Sequence, residues 1–151
     1  MARVRRAVAA AVACPLCPRP NEADAKIILA SYRIYTEWHV GTIEVYARAK
    51  RLVGDDVWRE NALSWVDDFN REHGHGPTWD AFRCSDTVWC EPWEEISPAI
   101  RSTILPVLAG RGYLDGMRTP YSMCRSKRSE STKSQQASCV LGIEEVSFGT
   151  A

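Results

Sequence analysis

Between His73 and Phe82 the chain reads HGHGPTWDAF, which places a helix stop and a helix start almost side by side. Gly74 can take the left-handed conformation that ends a helix, and Thr78, just after Pro77, offers its hydroxyl to the free amides of a helix beginning at Trp79. Asp80 suits the first turn of that helix, where a negative charge meets the positive end of the dipole. Upstream, Asp55 or Asp56 caps a helix in which Trp58, Ala62, Trp65, Val66 and Phe69 recur at the spacing of one apolar face. The two helices must therefore turn sharply rather than stack end to end.

The remaining elements follow from the same signals. Thr42 caps a helix with Ile43, Tyr46 and Ala47 on one face, Gly54 stops it, and Arg48, Lys50 and Arg51 form its basic edge. The segment AKIILASYRIYTEWHV before it suits short strands or an irregular ribbon. Cys84 to Ile96 reads as a packed loop or a short broken helix. Ser97 and Pro98 open a further helix in which Ile100, Ile104, Val107 and Leu108 share a face, with Gly110 closing it and Pro106 expected to kink it. GRGYLDGMRTPYSMC then offers two short strands around an Asp-Gly turn. The fold class is α+β, mostly α. Three parts are expected: a basic amino-terminal module over residues 1–54, a helical domain with a terminal hairpin over 55–125, and a polar, disordered tail over 126–151.

The net charge of zero hides a division. Residues 1–54 carry nine Lys/Arg and four Asp/Glu (9 − 4 = +5), whereas residues 55–125 carry seven against twelve (7 − 12 = −5). An acidic helical domain weakens any strong grip on phosphate. The longest uncharged apolar run, Ala7 to Ala13, is far short of the roughly 20 residues that span a bilayer, so no membrane partner is expected. The alanine-rich start imitates an export signal but lacks leucine, and a cytoplasmic amino-terminal helix is the reading adopted. In that reducing compartment the six cysteines act as free thiols or metal ligands, and only Cys14 and Cys17 have ligand-like spacing. Cys84 and Cys90 can pair if oxidised, but fit better as small apolar fillers beside tryptophan. The tryptophans at 58, 65, 79, 89 and 93 are expected in the core.

The order helix, GPTW, short helix, longer helix ending LAGRGYL, then hairpin resembles the winged helix-turn-helix domain of LexA-type repressors and of actinobacterial and phage proteins. The resemblance spans about Asp55 to Arg125. It implies double-stranded DNA as partner, with Pro98, Ala99, Arg101 and Ser102 facing the major groove and Arg111, Arg118 and Arg125 approaching the backbone. Arg3, Arg5, Arg6, Arg48, Lys50 and Arg51 would add phosphate contacts from the amino-terminal part. Glu94 and Glu95 depart from that pattern, as does an outer face formed by Leu105, Pro106 and Ala109. The alternative is a protein-binding adaptor that uses those three residues on a winged-helix scaffold without DNA binding.

VACPLCPRP followed by EWHV resembles a small zinc-binding module of phage and actinobacterial DNA-binding proteins. It implies Cys14, Cys17 and His39 as remnants of a zinc site, with Glu22, Asp24 or a distant Cys84 or Cys90 needed to complete four ligands. His73 and His75 have no acidic or cysteine partner at metal spacing nearby, and read as a solvated helix end where imidazolium is favoured by the dipole. No phosphate loop, nucleophile elbow or hydrolase constellation is visible, so no enzyme activity is expected.

Overall fold

The computed structural model describes residues 2–17 and 42–128. Glu22, Asp24, His39, the ribbon expected over residues 25–40, and residues 129–151 of the expected tail lie outside the described residues, whereas Ser126, expected to open that disordered tail, is buried and donates its amide to the Tyr113 carbonyl at 2.9 Å. In chain order the described elements are α1 (Ala2–Ala13), α2 (Ile43–Gly54), α3 (Asp56–His73), α4 (Trp79–Arg83), α5 (Pro98–Gly110), and a hairpin of β1 (Leu114–Asp115) and β2 (Cys124–Arg125). The architecture is mostly helical. Among the described residues no helix is long and apolar enough to cross a membrane.

The helix ends form where the side chains dictate. Thr42 accepts from the Val45 amide at 3.3 Å and starts α2. Asp55 accepts from the Val57 and Trp58 amides at 2.9 and 3.0 Å, so it, and not Asp56, caps α3. Thr78 receives the Ala81 amide at 3.1 Å, and Ser97 caps α5 with Pro98 behind it. At the other end of α3, Gly74 adopts φ +70° and returns its amide to Asn70. Each such cap contributes about 1 kcal/mol. Pro106 sits inside α5, and the helix is continuous from Pro98 to Gly110.

The core joins Ala49 and Val53 of α2, Trp58, Ala62, Leu63 and Val66 of α3, Phe82, Val88, Trp89, and the apolar residues of α5 to Leu114, Met117 and Met123 of the hairpin. Trp65 and Trp93 pack against it half-buried. Helix α2 lies closely along α5, so residue 54, expected as the end of a module, falls between two helices of one core. Its buried face differs from the expected one, since Ile43 is 90% exposed while Ala49 and Val53 are fully covered. The small Ala49 lets the two helices approach closely.

The same packing corrects the reading of α5. Leu105 is fully buried, together with Ile100, Thr103, Ile104, Val107 and Leu108, and Pro106 and Ala109 are half-buried. A helix clasped by α2 on one side and by the rest of the core on the other has no broad outer face, and its apolar residues run almost all round. The exposed apolar patch expected at Leu105, Pro106 and Ala109 is therefore absent.

The hairpin pairs Leu114 with Arg125 and Asp115 with Cys124, antiparallel. It lies along α3. Arg125 meets Glu60 at 3.1 Å and Asp67 at 3.4 Å, and Asn70 donates to the Met123 carbonyl at 2.9 Å. Beyond the end of α3, the Gly76 amide donates to the Tyr121 carbonyl at 2.8 Å. A side chain at Gly76 would meet the Met123 backbone at 2.3 Å, so only glycine fits where the loop and this segment touch.

Candidate metal centre

Two short motifs converge where α1 meets the far end of α3. Cys14 follows the last turn of α1 and is buried, and Cys17 is half-buried after a tight bend. His73 is the last residue of α3, and the left-handed turn at Gly74 brings His75 round towards the same point. The four side chains place one ligand atom each within 4.8 Å of all the others.

The spacing suits an ion at their centre. His73 Nδ1 lies 3.4 Å from Cys14 Sγ and 3.2 Å from Cys17 Sγ, and His75 Nε2 lies 3.4 Å from Cys17 Sγ. A tetrahedral ion with bonds of about 2.3 Å to sulfur and about 2.0 Å to nitrogen sets such ligands roughly 3.5 Å apart. These residues can bind a metal ion.

The imidazoles are held for the task by their neighbours. His75 Nδ1 lies 2.8 Å from the Gly76 carbonyl, and donation to that oxygen leaves Nε2 with its lone pair towards the cluster. The His73 ring stacks on Phe69 one turn earlier, with centroids 3.9 Å apart and planes within 3°. Tyr121 closes over His75 edge to face at 5.4 Å. Burial, and then the nearby His75, lower the pKa of His73 against the opposing pull of Glu72, so the neutral ring that a ligand requires is favoured. For His73 this desolvation opposes the imidazolium expected from the helix dipole.

The thiols are differentiated. Burial would raise Cys14, but the Leu16 amide, then the Cys17 thiol and amide, outweigh it and bring Cys14 below the usual thiol value. Cys17 is pushed up to about 11, by burial and then by Cys14 beside it. Two thiolates this close repel, and a divalent cation between them lets both ionise.

Cys14 and Cys17 thus stand together as the sequence suggested, but their described partners are His73 and His75, with neither Cys84 nor Cys90 near. Cys84 and Cys90 are free and exposed rather than packed as apolar fillers. The two histidines were missed because their cysteine partners lie 56 to 59 residues away. The available signal was numerical: Cys-x-x-Cys and His-x-His each offer two donors, and together they make a complete tetrahedral set.

The residues assigned to DNA fall into two groups. Arg101 is committed inside the domain, donating to the carbonyls of Ile96 at 2.9 Å, Arg83 at 3.2 Å and Glu94 at 2.7 Å, and stacking over Trp89. It fastens the 84–97 loop to α5 instead of reaching outward as a base reader. Arg125, with a side chain only 10% exposed, is held by Glu60 and Asp67 and does not face a backbone phosphate. Ser102 accepts from Arg83 at 3.1 Å. By contrast Arg48, Lys50, Arg51, Arg111 and Arg118 are exposed, as are Pro98 and Ala99. A cleft of about 580 Å³ separates Arg48 and Arg51 from the start of α5, and Asp55 and Glu95 also line it.

Comparison of the chain with family models, with curated proteins and with solved structures gives no match.

Proposed function

We propose that the chain is a non-enzymatic DNA-binding protein, a transcriptional or phage-derived regulator on a winged-helix scaffold, with structural zinc at Cys14, Cys17, His73 and His75. The zinc assignment rests on the donor set. Two thiolates and two imidazoles fill a tetrahedral sphere and leave no position for a substrate, as in structural rather than catalytic sites. The zinc would join α1 to the end of α3. Elemental analysis of protein purified with zinc is expected to give one equivalent, and less than about a tenth would end the assignment.

The observation that carries DNA binding is a cationic rim made by Arg48, Lys50 and Arg51 on α2 and by Arg111, whose guanidinium donates to the Lys50 carbonyl at 3.4 Å. Of the rim, Arg48 and Arg51 share a cleft with Ser97 and Ile100 at the start of α5, where Asp55 and Glu95 also lie. With Arg101 engaged internally, these groups suit phosphate positioning more than base reading. Binding should therefore tolerate sequence and fall steeply with salt, with a log–log slope near about −3.6 for four phosphate contacts. In a gel-shift titration on random duplex DNA, Arg48→Gln with Arg51→Gln should reduce that slope by about half. No complex at low salt would sink the DNA reading. The adaptor alternative has lost its specific residue, because Leu105 belongs to the core.

A further inference from the structure

A cleft of about 590 Å³ opens beside the Cys/His cluster, between α1 and the hairpin loop. Arg6 lines it from α1, His75 from the segment after α3, and Thr119, Tyr121 and Ser122 from the loop. No carboxylate is among its lining residues, whereas the cleft at the start of α5 sets Asp55 and Glu95 against Arg48 and Arg51. Two further observations set it apart. Tyr121 holds φ 56°, a left-handed backbone that costs a non-glycine residue energy and concentrates at ligand sites. The loop also carries the exposed Arg118, between the lining residues Gly116 and Thr119.

A hollow of this size, edged by a guanidinium and hydroxyls and free of carboxylates, has the chemistry of a phosphate site: the planar fork of an arginine binds two phosphate oxygens at once. One wall belongs to α1. That helix has no extensive interface with the other described elements, so its position rests on the Cys/His cluster. We infer that this cleft is a phosphate-binding site assembled by the metal, with Arg6 as its principal cation and Thr119 beside it. The inference does not need DNA binding by α2, but it rests on the proposed metal binding at Cys14, Cys17, His73 and His75, which elemental analysis checks separately before phosphate is added. The phosphate can come from a nucleic-acid backbone or from a small phosphate-bearing molecule.

The test uses the full chain, zinc-loaded and freed of excess metal, titrated with inorganic phosphate and followed by amide NMR. The amides of Gly74, Gly116 and Thr119 are expected to shift saturably, Arg6→Gln to weaken binding by about tenfold, and chelation to abolish it. Arg6 is exposed, so the variant should keep the wild-type amide spectrum over α2 to α5 before phosphate is added. A random-sequence duplex added to the phosphate-saturated protein identifies the source. Displacement assigns the site to backbone phosphate, and persistence assigns it to a small molecule; either supports the site. It is overturned if the three amides do not move up to tens of millimolar phosphate, if Arg6→Gln binds as wild type does, or if the chelated protein binds equally well. Failure of the gel shift at α2 leaves these outcomes unchanged, so the two readings fail separately.

Discussion

Helices α3 and α1 are both part of one fold, yet they are held by opposite means. Trp58, Ala62, Leu63 and Val66 of α3 are sunk in a close-packed apolar core, where many weak contacts act together and no single polar group decides the outcome. Among the described side chains of helix α1 only Ala11 is buried, and just beyond the helix Cys14 and Cys17 meet His73 and His75 at one point. The first attachment answers to volume and temperature. With an ion bound as proposed, the second would answer to metal supply and to the redox state of two sulfurs.

The largest expected effect breaks the first attachment. Trp58→Ala should cost about 3–5 kcal/mol in a denaturant titration, since it removes the largest fully buried side chain. Zinc stoichiometry in the protein that remains folded should be unchanged, because α3, at 18 residues, places Trp58 far from His73. A loss under about 1 kcal/mol would mean that the core does not depend on this residue.

Chelation breaks the second. A ligand bound only to the folded chain at a hundredfold excess over its dissociation constant stabilises by about 2.7 kcal/mol, and a chelator should remove about that much. The distinguishing readout is local. Trypsin should then cut at Arg5 or Arg6 while α2 to α5 stay intact, and Cys14 and Cys17 should become open to alkylation. Cys84 and Cys90, being exposed, should alkylate with or without metal. If α1 stays resistant without metal, its attachment is not the cluster and the contrast between the two helices fails.

The smallest effect sharpens the border between them. Gly76→Ala forces a methyl against the Met123 backbone, and overpacking of this kind costs about 1–3 kcal/mol. The segment carrying His75 should shift, so metal affinity should fall as well. Equal metal affinity in Gly76→Ala and wild type, measured by competition with a chromogenic chelator, would show that the hairpin loop does not position His75.

What was legible in the sequence was local. Thr42, Thr78 and Ser97 announced three helix starts because a cap needs only its own side chain and the next turn of backbone. Cys14 and Cys17 could be read as ligands for the same reason, their pairing being complete within four residues. His73 and His75 could not, since their role appears only after α3 has set its far end against α1. Arg101 was misassigned through direction: side chains near a helix start lean back towards its amino terminus, and there the carbonyls of Glu94 and Ile96 were waiting. Leu105 was misplaced because periodicity reports one buried face, and α5 is clasped on two sides.

The His-Gly-His turn at Gly74 has a kinetic consequence. It makes a two-toothed chelate that exists once the end of α3 has formed, and Cys14 with Cys17 makes another, with Cys17 and His73 separated by 56 positions in the chain. Bringing two such halves together costs roughly 3–4 kcal/mol of loop entropy. A single ion shared between them repays that cost by linking the ends. Two ions, one on each half, do not. Scarce zinc should therefore speed refolding of the complete site, and a large excess should slow it by filling both halves before they meet.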